Sequence, residues 1–340
     1  MKKARKQLKK KATPLSANFF PASQELIQRA YNEAREVQLG KKFSSKLLKV
    51  KKLNAAKSKR FGEYLQKEIL DLSKKFPLIE EMNPFYRDLL GAIVDVDKLK
   101  QNLSALNSSS KILKKIRSIY GAKFYSAKTI EESDRTLKEF EGRMISVVKK
   151  LEKPLIALKV ESKKLKELPS IDFEAPTIVL GGYPNVGKST LLKRITGSNA
   201  KISPYQFTTK QINVGHFEFK YRKIQFIDTP GLLDRPNLNG IEKKAVAALK
   251  HLASIIVFVV DPTQGCGFSV DEQLELLSKM RKEFEGKRIL VVVNKIDIAD
   301  ERDIAKVLET EKNVVFDGEN LNGKELKVAL EKELALTRPR

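Results

Sequence analysis

A helical bundle followed by an α/β domain with a mostly parallel sheet is the fold class that this 340-residue sequence predicts, on three observations. Charge is divided unevenly: residues 1–168 carry 40 Lys and Arg against 19 Asp and Glu, residues 169–340 carry 26 against 23, and the whole chain has a net charge of +24. The apolar pattern changes at the same place. Before Leu168 apolar residues recur every three or four positions, and after "LPSID" short β-branched runs alternate with amphipathic stretches. Finally, 41% apolar content in a chain of this length suffices for about two cores. The domains are therefore drawn as 1–168 and 169–340.

In the first domain, "LIQRAYNEAREVQL", "FGEYLQKEILDLSKKF" and "TLKEFEGRMISVVKKLEKPLIALKV" have helical periodicity, and no strand pair is visible. "NPFY", Asn83 to Tyr86, reads as an N-cap followed by proline at the first helical position. In the second domain six runs read as strands: Thr177–Leu180, Val214–Lys220, Lys223–Ile227, Ser254–Val260, Ile289–Val293 and Val314–Phe316. Alternation with helices argues for parallel pairing, while the two runs flanking Tyr221 and Arg222 form a hairpin that adds one antiparallel edge strand. Ser269 and Glu272 have the spacing of a capping box, and His216 and His251 read as packing residues. The single cysteine, Cys266, has no internal partner, and the basic start "MKKARKQLKKK" leads into no apolar signal region, so an intracellular, cytoplasmic setting is expected. The longest apolar runs, such as "IIVFVV", fall far short of the roughly 20 residues of a membrane span, so no transmembrane segment is expected.

Three motifs carry the chemistry. "GGYPNVGKST" places Gly182, Gly187, Lys188 and Ser189 in a G-x-x-x-x-G-K-[ST] pattern between a strand and a helix. Glycines there let successive N–H groups wrap phosphates at a helix N-terminus; Lys188 would reach the β- and γ-phosphates and Ser189 would bind Mg²⁺. "DTPG" follows another strand, with Asp228 positioned to hold Mg²⁺ through water and the Gly231 N–H to sense the γ-phosphate. "NKID" follows a third, and Asp297 can accept from the guanine N1–H and 2-amino group, which adenine lacks, so GTP and GDP are expected rather than ATP. Asn294 would contact the base edge and support the phosphate loop, and the Lys295 stem would cover the base. The polar stretch "SPYQFTTKQINVG" reads as a switch loop in which Thr209, or alternatively Thr208, completes the Mg²⁺ shell. Leu232 and Leu233 stand where many small GTPases carry a water-orienting glutamine, which predicts slow hydrolysis.

"GYPNVGKSTLL", "YQFTTKQINVGH", "DTPGLLDRP" and "DPTQGCGFSVDEQLELL" resemble the G domain of the nucleolar GTP-binding protein 1 (Nog) family, within the Obg-like group. "ATPLSANFF", "NPFYRDLLGAIVDVDKLKQNLSALN" and "GRMISVVKKLEKPLIALKVESKKLKELPSID" resemble its N-terminal domain, so the likeness covers nearly the whole chain. It implies a Ras-like P-loop G domain behind a helical bundle, and a GTPase that binds rRNA of large ribosomal subunit precursors. Ribosomal proteins or other assembly factors are candidate partners, the location would be nucleolar in a eukaryotic source, and DNA is not expected. By position the nucleotide-binding set is Gly182, Tyr183, Pro184, Asn185, Val186, Gly187, Lys188, Ser189, Thr190, Phe207, Thr208, Thr209, Asp228, Gly231, Asn294, Lys295 and Asp297. Lys188, Thr209 and Gly231 are the catalytic candidates; Ser189, Thr209 and Asp228 are the Mg²⁺ ligands, and Asn185 is a candidate K⁺ ligand, as in related GTPases lacking the glutamine. The last guanine-contacting loop of the group, usually "SA", would fall near "FDGEN" at Asp317 and Gly318, where the pattern departs. The long C-terminal extension of eukaryotic members does not follow, which suggests an archaeal-type or truncated form.

Lysine-rich runs such as "LKVKKLNAAKSKR" suit phosphates, whether of RNA or of anionic lipid. A nucleotide-dependent membrane-surface or stress-signalling switch of the Obg-like group is therefore the alternative reading. Few aromatics interleave with the lysines, which counts against stable membrane insertion.

Overall fold

A computed structural model describes residues 20–40, 43–166, 168–196, 201–207, 210–219, 222–229, 232–234, 239–318 and 323–336. These form two compact units, one of Leu15–Leu78 with Val94–Lys166 and one of Ile79–Ile93 with Glu167–Arg340.

The first unit is built from α1 (Ser23–Arg35), α2 (Lys46–Ser73), α4 (Val96–Ser126), α5 (Ile130–Lys149) and α6 (Glu152–Lys166). On α4, Leu99, Leu106, Leu113 and Tyr120 recur every seven residues and are all buried, one stripe along a helix of 3.6 residues per turn. Phe61, Leu65, Ile69 and Leu72 of α2 and Phe140, Met144 and Val148 of α5 supply the facing stripes. Ser45, Asp95 and Thr129 each accept a backbone N–H at 3.1 Å and start their helices. The periodic stretch from Thr136 to Val160 is two helices rather than one. Pro154 has no N–H, and its ring would meet the carbonyl of Lys150, where α5 ends.

The stretch Ile79–Ile93 groups with the second unit, which sequence periodicity around it did not reveal. Asn83 caps α3 (Pro84–Ile93) as expected, accepting from the Phe85 N–H at 3.0 Å. The helix packs on α8 (Gly240–Leu252), where Lys244 Nζ donates to Gly91 O at 2.9 Å and His251 Nε2 lies 3.0 Å from Asp88 Oδ2. Tyr86 Oη donates to Pro169 O at 2.8 Å and accepts from the Ile171 N–H at 3.1 Å. Thus His251 is a polar partner at the surface rather than a packing residue, and His216 bonds Gln225 Oε1 at 3.0 Å.

The sheet of the second unit has seven strands, in the order β2-β3-β4-β1-β5-β6-β7. They are β1 (Thr177–Gly181), β2 (Lys201–Phe207), β3 (Lys210–Phe219), β4 (Arg222–Asp228), β5 (Ala253–Val260), β6 (Arg288–Val293) and β7 (Val314–Phe316). Strands β4, β1, β5, β6 and β7 run parallel, and β3 pairs antiparallel with β4, as expected. A seventh strand joins the six expected, at the edge of the sheet. Residues read as part of a polar switch loop form β2, antiparallel to β3 from Lys201↔His216 to Phe207↔Lys210. Its position at the sheet edge explains how Pro204, which has no N–H for a ladder, is accommodated. Strands β1 and β5 are buried almost throughout, and all five parallel strands end on one edge, where a doubly wound sheet opens its crevice. Helices α7 (Lys188–Thr196), α9 (Val270–Glu283), α10 (Glu301–Thr310) and α11 (Lys324–Leu336) complete the unit, and the Ser269–Glu272 capping box is formed.

Candidate nucleotide site

From the end of β1 the chain turns sharply before α7 begins at Lys188, with positive φ at Gly182 (+124°), Asn185 (+63°) and Gly187 (+99°). A side chain on Gly187 would put its Cβ 2.2 Å from Asn294 Nδ2, so only glycine permits this approach. Asn294 uses the approach to donate from Nδ2 to Val186 O at 2.9 Å, which is the expected support of the phosphate loop. Its Oδ1 is buried without a partner and is left for a ligand.

The Lys188 ammonium is buried and donates to Gly182 O at 2.6 Å and Tyr183 O at 2.7 Å. Burial lowers its pKa, opposed by the nearby Asp228 and Asp234 carboxylates. Burial raises the Asp228 pKa, opposed by the Lys188 ammonium, the Asn213 amide and the Ser189 hydroxyl. Asp228 Oδ1 has no partner, and neither does the buried hydroxyl of Thr229 beside it. An unpaired carboxylate oxygen, with Ser189 exposed at the start of α7, is an oxygen donor set that fits hydrated Mg²⁺.

Lys295, at φ +57°, sends its ammonium to Asp261 Oδ2 at 2.5 Å and to Asn185 O at 3.3 Å, so its stem bridges β5 and the phosphate loop. Asp297 is exposed in the same loop. Thr208, Thr209 and Gly231 lie outside the described residues, as does the side chain of Phe207. Leu232 and Leu233 are both buried, and Leu233 O takes the Gly182 N–H at 3.1 Å, which ties this segment to the phosphate loop.

Comparison with known proteins decides the lineage. Residues 16–172 match the model of the NOG1 N-terminal helical domain, and residues 177–295 match a model described as 50S ribosome-binding GTPase. An uncharacterized protein of Methanocaldococcus jannaschii is 35% identical over 281 residues, covering 82% of this chain and 79% of its own length. The chain belongs to the nucleolar GTP-binding protein 1 family. The Saccharomyces cerevisiae protein of that name is 35% identical over 79% of this chain, and the Candida glabrata one 36% identical over 78%. The chain spans 42% of the length of each of these fungal relatives.

This family member has site features that its motifs did not disclose. The loop after β7, where the "SA" pattern departs, lies against Asp297: a Cβ on Gly318 would lie 2.3 Å from Asp297 Oδ1. Asp317, fully buried, holds that loop by accepting from Arg194 Nη1 at 2.9 Å and from the Gly323 N–H at 2.8 Å, while Arg194 also reaches Gly318 O at 3.2 Å. Tyr183 stacks on Phe268 with centroids 3.8 Å apart and braces the phosphate loop against the segment before α9. Asp261 alone had a legible signal, since it ends a buried strand run just as Asp228 does.

Proposed function

We propose that the chain is a slow GTPase, a switch in large ribosomal subunit assembly that docks on precursor rRNA through its basic helical unit. The observation that carries the reading is the convergence, at adjacent ends of parallel strands, of the phosphate loop, the unpaired Asp228 oxygen and the exposed Asp297 carboxylate. Phosphates entering the loop would draw Lys188 from the two carbonyls it now holds, and Ser189 and Asp228 would hold Mg²⁺, Asp228 through water, with Thr209 completing the shell. Mg²⁺ supplies charge neutralisation on the phosphoryl oxygens. The Gly231 N–H would register the γ-phosphate. With Leu232 and Leu233 buried, no side chain there orients the attacking water, so a K⁺ held by Asn185 is proposed to supply positive charge in the transition state. Phosphate release measured in KCl should be about tenfold faster than in NaCl, and Asn185→Ala should abolish the difference. Equal rates in both salts would remove K⁺ from the mechanism.

The rRNA reading is supported by the excess of 21 positive charges before residue 169 and by the names of the relatives. If Lys and Arg pair with phosphates, log K should fall with log salt at a slope of about 0.7–0.9 per phosphate neutralised. Removing residues 1–19, which carry 7 Lys and Arg, should flatten that slope. The non-hydrolysable GTP analogue should bind rRNA more tightly than the GDP form. Binding to anionic vesicles with no rRNA affinity would replace this reading by a membrane-surface switch. Equal rRNA affinity in both nucleotide states would sink the coupling. Among the described residues no helix is long and apolar enough to cross a membrane. The proposed location is the cytoplasm, or the nucleolus in a eukaryotic cell, with ribosomal proteins or other assembly factors as further partners and no DNA.

A further inference from the structure

Strands β3 and β4 pair antiparallel, and one face of their ladder carries the rungs Phe217↔Ile224, Gly215↔Phe226 and Asn213↔Asp228. Residues directly opposite on such a pair have their side chains on the same face, with Cβ atoms about 5 Å apart. Ile224 and Phe226 are buried, and the Phe217 ring lies 4.9 Å from that of Phe226, so the first two rungs are apolar. The face turns polar at its last rung, where Asp228 also pairs with Leu180 of β1 just before the phosphate loop. A leucine at 213 would continue the apolar pattern. An amide in this half-buried place costs free energy unless it is hydrogen-bonded, and Asn213 Nδ2 donates to Asp228 Oδ2 at 3.5 Å. This bond is long, and hydrogen bonds in ligand sites commonly shorten once the ligand is bound. The two oxygens of Asp228, a residue 2% exposed, therefore differ: Oδ2 faces the amide, and Oδ1 is buried with no partner.

The geometry points to Asn213 as a positioning residue of the Mg²⁺ site, its amide holding Asp228 Oδ2 so that Oδ1 is kept for the water that binds the metal. The inference rests on the Mg²⁺ reading above and deepens it; none of the three nucleotide motifs includes position 213. The Lys188 ammonium is near enough to Asp228 to favour its charged form, and a carboxylate released from the amide can turn toward that ammonium instead. An uncharged donor suits the task. A lysine at 213 would compete with Mg²⁺ for the carboxylate, and an aspartate would repel it. Because β3 begins at Lys210, the amide also ties Asp228 to the strand that follows Thr209, the other proposed ligand. Groups that orient a ligand oxygen from behind commonly change metal affinity by about 10- to 100-fold.

The test follows release of fluorescent N-methylanthraniloyl-GDP from the full chain as free Mg²⁺ is varied, in the parent, Asn213→Leu and Asn213→Ala. Both variants lack the donor; leucine continues the apolar face of the ladder, and alanine leaves room for water. Each should raise the Mg²⁺ concentration for half-maximal GDP retention by about 10- to 100-fold, while release in EDTA stays within about twofold of the parent's. Asn213→Thr, whose hydroxyl can donate to the same oxygen, should recover part of the loss. If leucine unfolds the strand pair, the alanine and threonine variants carry the same comparison. Parent-like Mg²⁺ midpoints in the donor-free variants would overturn the proposal. So would release that quickens equally in Mg²⁺ and in EDTA, which marks a purely structural role, or a threonine variant no better than alanine. A parent whose GDP release is indifferent to Mg²⁺ would instead remove the Mg²⁺ reading on which the inference rests.

Discussion

Asp297→Asn is expected to weaken GDP binding by about 100-fold or more and to make the xanthine nucleotide the tighter ligand. The Asp297 carboxylate is exposed and faces the Gly318 loop, and it offers two acceptors to the guanine N1–H and 2-amino group. An asparagine keeps one acceptor and turns the other into a donor, which opposes the 2-amino group but matches the carbonyl at the same place in xanthine. Hydrogen bonds to charged groups contribute about 1.5–3 kcal/mol, and a buried donor left facing a donor costs about 1–3 kcal/mol, so the two effects together, about 2.5–6 kcal/mol, support a change on the order of 100-fold or more. Titration calorimetry with GDP, XDP and ADP on both proteins reads it directly. A parent that binds ADP as tightly as GDP, or a variant with no gain for XDP, would defeat the assignment of Asp297.

Arg194→Met should lower the unfolding free energy of the second unit by about 3 kcal/mol and weaken GDP binding by about tenfold. Removing the guanidinium leaves Asp317, fully buried, without its 2.9 Å partner, and an uncompensated buried carboxylate is costly even with the Gly323 N–H still on its other oxygen. The same guanidinium bonds Gly318 O, so its loss frees the loop that lies against Asp297. Urea unfolding of Arg194→Met, Asp317→Ala and the double variant separates the pair from the individual side chains. The double variant should recover part of the loss, because it removes the stranded charge along with its partner. An unchanged midpoint together with unchanged GDP affinity would show that the pair neither stabilises the unit nor positions the loop.

Most of the candidate nucleotide site was legible because its demands are local. A phosphate loop needs glycines where φ is positive, as at Gly182 and Gly187, and a lysine and a hydroxyl where the helix begins. Those requirements act over a few residues and appear as residue types at fixed spacing. The same is true of the Asn83 cap, the Ser269–Glu272 box and the heptad stripe from Leu99 to Tyr120. Strand β2 was missed because an edge strand buries little and can carry Ser, Pro and Gln without the alternation that marks a half-buried strand.

By itself, then, the sequence determined the two kinds of architecture, the glycine-rich turn between β1 and α7, and the separation of charge. Only the tertiary structure decided that Arg194 pairs with Asp317 across 123 positions, that Lys295 is anchored on Asp261, and that α3 packs on α8. The chain contains 66 Lys and Arg and 42 Asp and Glu, so composition allows a great many ion pairs. Local propensity is the same for nearly all of them. Which arginine meets which aspartate follows from sheet order and helix packing, which bring distant segments within hydrogen-bond reach and exclude the rest.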